Sequence, residues 1–389
     1  MKRQLKNTCY LLIDRYKNWR YTNNHKKELK KYLVATGIKL EKQKREQEFV
    51  NKWSPLHKLG KTTFGLYRFY AHFCGDNPDI ITDDIFHMIV EPCLNNQTAN
   101  SVYGDKNFYE QILPQEYFPI CVLRNIESDY MDRDYHVIQM NNEEFDKHVL
   151  NNKDIQAKGK LIVKPTQDTA GGFGVRLFVF DGKQWKNSEG DILSLDFLEQ
   201  KYKRNFILQE TIEPSDFVRQ FNSSSYCTFR IITYRSVVDD TLHLIGGYMR
   251  VGAKGSFKDN VHQGGYAIPI SPDGKLSHQA INGQRKCYDY VNDINLKDNT
   301  FEVPNWQEIV NLCFDIARKV TPCRLLSFDI ILNRENRPYI IEFNIKNQTM
   351  TTVQITSKPF FGEFTDEVIT YCMIHKDNKR IYPLIIAKN

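Results

Sequence analysis

The stretch Leu325-Leu-Ser-Phe-Asp-Ile-Ile-Leu, then Asn333-Arg-Glu-Asn-Arg-Pro, then Tyr339-Ile-Ile-Glu-Phe-Asn reads as a β-hairpin, two β-type runs around a polar turn. Side chains alternate along a strand, so Glu342 and Asn344 project from one face of the second run. If Asp329 faces them from the first run, three oxygen ligands converge. Two carboxylates and an amide oxygen suit Mg²⁺ bridging nucleotide phosphates, a role that thiolate or imidazole ligands fill poorly. The competing reading is a hairpin with one solvated polar face. Acidic residues inside runs as apolar as Phe-Asp-Ile-Ile-Leu and Ile-Ile-Glu-Phe are costly without partners, which favours the metal.

Upstream of the hairpin, residues 305–320 place Trp306, Ile309, Val310, Cys313, Phe314, Ala317 and Val320 on one helical face, with Pro322 beyond the end, and predict a buried helix. From Lys160 onward short β-rich runs alternate with turns, at 161–164, 175–180, 205–209, 228–234 and 242–251, which makes the body α+β. The first hundred residues read instead as helices, with Lys-rich periodic segments and a dense apolar and aromatic stretch at 66–73. The division expected is a basic helical lead-in over 1–100 and a body over 101–389. No repeat of 20 to 50 residues is visible, which removes solenoids and propellers.

A second candidate is Leu161-Ile-Val-Lys-Pro-Thr-Gln-Asp-Thr-Ala-Gly-Gly-Phe-Gly-Val-Arg-Leu-Phe-Val-Phe. Gly171, Gly172 and Gly174 tolerate φ > 0 and can turn successive N–H groups toward an anion such as a triphosphate. Lys164 ends the first run just before this loop, where its ammonium can reach phosphate oxygens. No Gly-Lys-Ser/Thr opens a helix here, so it is not a P-loop, and a strand rather than a helix follows, so it is not a dinucleotide fingerprint. The competing reading is a plain glycine-rich hairpin turn.

Composition bounds the rest. The chain has 389 residues, 41 % apolar and 26 % charged, long enough for two or three packed lobes and too mixed for disorder. No apolar run approaches the roughly 18 residues a spanning helix needs. The start resembles a signal n-region, but its apolar stretch is only residues 10–13, so export by this segment is not expected. Nine cysteines without a Cys-x-x-Cys pair encode neither a disulfide framework nor a zinc ribbon, and a reducing cytoplasm fits best. The net charge of +6 is uneven: residues 1–50 hold 14 Lys plus Arg against 5 Asp plus Glu. Lys26, Lys27, Lys30, Lys31, Lys42, Lys44 and Arg45 read foremost as a solvated helical face; the alternative is contact with an anionic surface such as the inner leaflet. Tyr16, Trp19 and Tyr21 are followed by no nucleic-acid-binding signature, and no nucleic-acid partner is expected.

Asp105-Lys106, Lys164, the loop 169–175, Gln209-Glu-Thr-Ile, Asp329 and Glu342-x-Asn344 occur in an order that resembles the ATP-grasp superfamily. Thr228-Phe-Arg-Ile-Ile-Thr, Arg250-Val-Gly and Asp259-Asn-Val-His-Gln-Gly-Gly265 are similar to its sugar-transfer-associated branch. The resemblance runs from about residue 70 to 360 and leaves out residues 1–50 and the last two dozen. Two positions depart from the pattern: Cys227 stands where Asn is expected before Thr-x-Arg, and Lys346 follows the acidic motif where a Pro-containing segment is common.

The resemblance implies two α+β lobes gripping ATP, a flap lobe over about 115–210 and a metal and substrate lobe over about 211–370. It implies that Lys106, Lys164 and Thr169 bind phosphates, that Gly171, Gly172 and Gly174 cover them, and that Asp329, Glu342 and Asn344 hold Mg²⁺. Adenine would pair along Gln209, Glu210 and Ile212, with Glu213 or Asp216 on the ribose. Arg230 and Arg250, whose guanidinium forks match a carboxylate and an acyl phosphate, are candidates for substrate binding and transition-state stabilisation alongside Lys164. Asp259, Asn260, His262, Gly264 and Gly265 lie in a loop suited to orienting an amine or sugar hydroxyl, or form an ordinary turn.

The leading function is an ATP-dependent carboxylate–amine ligase forming an acyl phosphate, in surface-polysaccharide biosynthesis, attaching an amino acid or amine to a sugar acid. Its partners would be small or glycan-linked carboxylates and amines, in the cytoplasm or at the inner membrane face. The alternatives are a phosphotransferase that stops after phosphorylation, and a noncatalytic nucleotide-binding scaffold, against which intact Lys164, Asp329, Glu342 and Asn344 argue.

Overall fold

The computed structural model describes residues 2–167, 172–224, 226–256, 259, 261–355 and 358–375. Its β-type runs assemble into two antiparallel seven-stranded sheets. The first is built from β1 (Cys121–Ile126), β2 (Asp129–Met131), β3 (Val137–Ile138), β4 (Lys160–Pro165), β5 (Arg176–Phe180), β6 (Trp185–Lys186) and β7 (Phe206–Glu210), in the order β3-β2-β1-β7-β4-β5-β6. Leu161 and Val163, and Phe206 and Leu208, follow the period of two onto one face. There they bury with Leu123, Phe178 and Trp185 and with Phe145, Val149, Ile155 and Leu198 of the covering helices. The Leu195–Tyr202 helix starts where Ser194 accepts the Phe197 N–H at 3.1 Å, satisfying one free donor of its first turn.

The second sheet comprises β8 (Thr228–Arg235), β9 (Leu242–Val251), β10 (Tyr266–Ile270), β11 (Ala280–Asn282) and β12 (Cys287–Tyr288) with β15 (Leu325–Leu332) and β16 (Pro338–Asn344), in the order β12-β11-β10-β9-β8-β15-β16. A separate ribbon pairs β13 (Tyr290–Val291) with β14 (Ile294–Asn295). Strand β15 is buried along its whole length. Leu326, Phe328, Ile330 and Leu332 look one way, with Phe229, Ile231 and Met249, onto Ile309, Leu312, Cys313 and Ile316 of the Trp306–Lys319 helix. The expected helix over 305–320 is thus present, short by one residue at each end.

Leu325 looks the other way, with Ile232, Tyr234, Ile245 and Ile281, onto helices from the first hundred residues. These are Lys2–Thr36, Glu46–Trp53 and Lys61–Cys74, and they have no core of their own: Phe49, Trp53, Tyr67, Phe69 and Tyr70 bury together with the sheet and with Phe360, Phe361 and Val368 from the other end of the chain. The seven basic residues from Lys26 to Arg45 named above are all exposed, while Leu29 and Tyr32 turn inward. The helices cover the Leu325 end of that sheet face. Further along the same strands the face opens and carries Arg230, Asp329 and Glu342. Among the described residues no helix is long and apolar enough to cross a membrane, and no disulfide joins any two of the eight cysteines whose side chains are described.

Candidate active site

Strand β15 lies between β8 and β16, and its register sets Asp329 opposite Arg230 on one side and opposite Glu342 on the other. Directly opposed residues share a face, so a row of three charges crosses the sheet. The alignment with Glu342 depends on an irregularity: Ile330 pairs with Ile340, leaving Ile341 as an extra residue in β16, a β-bulge. Asn344 stands opposite Ser327, on the same face as Glu342. Asp329 does therefore face Glu342 and Asn344 across the hairpin.

Arg230 grips Asp329 with two donors, Nη2 to Oδ2 at 2.8 Å and Nε to Oδ1. Arg250 Nη2 lies 3.1 Å from the same Oδ2, and Arg250 Nε lies 3.4 Å from Asp259. Thr228 ties the two together, its hydroxyl accepting from Arg250 Nε (2.8 Å) and Nη2 (2.6 Å) and donating to Asp259, which also accepts the Thr228 N–H at 3.1 Å. Burial pushes the Asp329 carboxyl above its ordinary value despite both arginines. Burial acts the same way on Glu342 and is the largest single influence, but Lys106, Arg230 and Arg250 together outweigh it and hold Glu342 at about 2.

Lys106 Nζ lies 2.9 Å from Glu342 Oε2. It comes from a turn capped by Asp105, whose carboxylate accepts the Asn107 N–H at 2.9 Å and the Gln167 amide at 2.8 Å. The Lys106 N–H donates to Thr166 O at 3.1 Å, which ties the turn to the strand carrying Lys164. Lys164 is only 7 % exposed, and its Nζ donates to the carbonyl of the bulge residue Ile341 at 3.4 Å. Burial, then the neighbouring Lys106, draws the Lys164 ammonium down to about 8. Lys164 of the first sheet and Lys106 of the turn leading into it thus reach the β16 edge of the second.

Between the sheets lies a cavity of about 540 Å³, within the range of small-molecule sites. Lys106, Lys164, Gly172, Arg230, Arg250, Asp259, Asp329, Glu342 and Asn344 line it, as do Gln209, Glu210 and Ile212 at the end of β7. The Gln209 amide is engaged by Pro119 O at 3.3 Å, and Glu210 pairs with Lys158 at 3.5 Å. Glu213 and Asp216 do not line the cavity: both are exposed, and Glu213 pairs with Arg219 at 2.7 Å. Gly174, Gly264 and Gly265 also lie off its lining. Thr169, Gly171, Asn260 and the His262 side chain fall outside the described residues. Of the two departures, Cys227 is fully buried in the helix-side core, while Lys346 lines the cavity. Sequence reasoning missed Tyr226, Tyr248 and Arg285. Tyr248 had a signal in the β-run 242–251, but its position opposite Arg230 depends on register, which spacing does not give.

Among the described residues no three His, Cys, Asp or Glu side chains form a metal cluster. The set here is two carboxylates and one amide, the kind of donor set Mg²⁺ uses with phosphate oxygens and water completing its octahedron. Asn344 Nδ2 is buried without a hydrogen-bond partner, so nothing in the described chain opposes a half-turn of the amide that presents its oxygen instead. These residues fit Mg²⁺. Around them Lys106, Lys164, Arg230 and Arg250 face Asp259, Asp329 and Glu342, one more cation than carboxylate, which favours a phosphate-rich ligand.

Similar solved structures include D-alanine–D-alanine ligase from Bacillus anthracis, 12 % identical over 74 % of this chain and 71 % of that one, with a TM-score of 0.38. The ATP-grasp ligase PsnB, complexed with a phosphomimetic variant of minimal precursor, Mg and ADP, is 13 % identical over 72 % and 61 %, with a TM-score of 0.38. N5-carboxyaminoimidazole synthetase from Staphylococcus aureus, complexed with ADP, is 8 % identical over 68 % and 52 %, again at 0.38. The chain spans about half the length of that synthetase. These likenesses are distant, and no curated protein matches the sequence. Residues 89–365, however, match the sequence profile described as sugar-transfer associated ATP-grasp. That span holds both sheets and every residue named here at the cavity, and by it the chain belongs to the sugar-transfer associated ATP-grasp family.

Proposed function

We propose that the protein is an ATP- and Mg²⁺-dependent carboxylate–amine ligase working through an acyl phosphate, and that it joins an amino acid or other amine to a sugar acid in surface-polysaccharide biosynthesis. The observation that carries this reading is the meeting, in one cavity, of Lys164 from the first sheet and Lys106 from the turn leading into it with the Asp329, Glu342 and Asn344 row and the arginine pair of the second. The sugar assignment draws on the description of the family. ATP as substrate and the absence of disulfides among the described cysteines fit a cytoplasmic enzyme, and the exposed basic face of the N-terminal helices suits the anionic inner leaflet.

In this reading Lys106 and Lys164 neutralise phosphate oxygens, Gly172 brings backbone close to them, and the chain at 209–212 borders the adenine. Asp329, Glu342 and Asn344 hold Mg²⁺, which when bound draws charge off the phosphate oxygens. Arg230 and Arg250 spend Nε and Nη2 on Asp329, Asp259 and Thr228, and among the described residues neither Nη1 has a hydrogen-bond partner. Those two edges are the donors left for a substrate carboxylate. One of its oxygens attacks the γ-phosphorus and ADP leaves, giving an acyl phosphate. The amine nitrogen then attacks the carbonyl carbon, phosphate leaves with the bonding pair, and the ammonium proton passes to base, which completes the amide.

Hydroxylamine tests the reaction. With ATP, Mg²⁺ and a panel of sugar acids and amino acids, it should trap the intermediate as a hydroxamate with stoichiometric ADP, and Arg230→Lys should cut the yield sharply because an ammonium lacks the fork. Release of AMP and pyrophosphate would mean adenylation. A phosphorylated product that resists hydroxylamine would make the protein a phosphotransferase.

A further inference from the structure

On the side of the cavity away from the two lysines stands Arg285, in the turn between β11 and β12. The turn is tightly built: Arg285 N–H donates to Asn282 O at 3.0 Å, and Asn282 Oδ1 accepts the N–H groups of Gln284 (2.9 Å) and Lys286 (3.0 Å). Arg285 itself adopts φ 68°, a left-handed conformation that a long side chain rarely takes. It is 4 % exposed and lines the cavity. Its guanidinium lies over the Tyr32 ring, 5.1 Å from the centroid, and Nη2 donates to the Tyr32 hydroxyl at 3.4 Å.

What it lacks is a counter-charge. Nε is buried without a hydrogen-bond partner, and no carboxylate among the described residues pairs with the guanidinium. The one carboxylate whose charge acts on it, more weakly than Tyr32 and Tyr70, is Asp83, which is engaged by Tyr70 at 2.6 Å and Thr351 at 3.1 Å. A buried unpaired guanidinium on a strained turn is expensive, and burial of charge is ordinarily compensated by a partner. The cavity wall is where that partner can arrive.

Position decides whose anion it is. From β15 to β11 the sheet crosses four interstrand gaps, roughly 19 Å at about 4.8 Å each. Phosphates gathered at Lys106, Lys164 and Glu342 cannot reach that far. We propose that Arg285 is an oxyanion subsite for a second acidic group, a phosphate or a carboxylate, carried by the acceptor substrate, which makes the acceptor an elongated anion stretching from the arginine pair to β11. Tyr32 is its positioning residue and comes from the Lys2–Thr36 helix, outside the residues shared with the family profile. The assignment of the anion to an acceptor rests on the ligase reading; the subsite itself does not.

The test follows thermal unfolding of the full chain and of Arg285→Gln, each saturated with AMP-PNP and Mg²⁺, against rising inorganic phosphate in one arm and glucuronate in the other, at constant ionic strength. The native midpoint should climb with one of the two anions, identifying the group. In Arg285→Gln the half-effect concentration should rise at least tenfold while AMP-PNP affinity stays within twofold. Arg285→Lys should recover part of the response, and it replaces the Gln variant if that fails to fold. Equal responses in native and variant chains, no response in the native chain, or loss of AMP-PNP binding in a folded variant overturns the subsite. If the native chain does not bind AMP-PNP, the ligase reading fails, and the same comparison without nucleotide decides for or against Arg285.

Discussion

Lys106 Nζ stands 2.9 Å from Glu342 Oε2, an ion pair that joins the turn leading into the first sheet to the last strand of the second. In the ligase reading both members change partners when nucleotide arrives: the ammonium turns to phosphate and the carboxylate to the metal. Glu342→Gln should therefore lower Mg²⁺-dependent ADP release on the order of a thousandfold, the loss of one charged ligand at a phosphoryl-transfer site. The fold should survive, because the Glu342 side chain is 26 % exposed and water can solvate Lys106. Near-native turnover with unchanged Mg²⁺ dependence would remove Glu342 from the metal site.

Asp329 should behave differently although it belongs to the same row. Its side chain is 2 % exposed and is the shared counter-ion of Arg230 and Arg250. Asp329→Asn leaves two buried guanidinium groups short of charge and should cost about 3 kcal/mol, read as a lower urea midpoint at unchanged slope. A variant as stable as the native chain would show that the arginines do not depend on this carboxylate.

Lys164 gives a pH signature. In the free protein its ammonium titrates near 8, against about 10.4 in an unfolded chain. Between those values the unfolded state binds more protons, so this group's burial penalty is fully present below pH 8 and is relieved as pH rises toward 10.4. Phosphate binding needs the charged form, so AMP-PNP affinity should be level below pH 8 and about tenfold weaker at pH 9 than at pH 7. Lys164→Arg, charged throughout, should abolish the break. A native chain with no break near pH 8 would separate Lys164 from the phosphates.

The hairpin was the most legible part of the molecule, because a period of two puts Glu342 and Asn344 on one face, with Asp329 a conditional third from the partner strand. The bulge at Ile341 that keeps Asp329 and Glu342 opposed was not, since one extra residue in Tyr-Ile-Ile-Glu-Phe leaves no mark in the composition. Glu213 or Asp216 was placed on the ribose by the family resemblance, whereas in the structure both are exposed and off the cavity. Arg285 was invisible for a plainer reason: in sequence it is one more basic residue in a polar turn, and only burial without a partner distinguishes it. The helices before residue 100 read as a lead-in because Lys dominates their surface, whereas Leu29, Tyr32 and the aromatic rows that join the sheet's core are a minority of their residues.

Gly174 should tolerate no side chain. It has φ +76°, and an added Cβ would meet Pro165 Cγ at 2.8 Å, while its carbonyl accepts from the Tyr202 hydroxyl at 2.8 Å. Gly174→Ala should cost on the order of 1–3 kcal/mol in thermal or urea unfolding and weaken AMP-PNP several-fold by displacing the neighbouring Gly172. Native-like stability and affinity together would mean that the turn relaxes freely.

The shared core of the N-terminal helices and the second sheet has a topological consequence. Chain on both sides of the first sheet belongs to a single body, so residues 121–210 are an insertion, a jaw held by two ropes. The outgoing rope passes Lys106 and the returning one passes Ile212, and both touch the cavity. Ligand bound there pulls on both attachments of the jaw at once. Excising 121–210 and bridging the gap with a short glycine linker should leave a chain that still melts cooperatively, with Arg230, Arg250 and Arg285 in place and Lys106 alone left of the two cavity lysines.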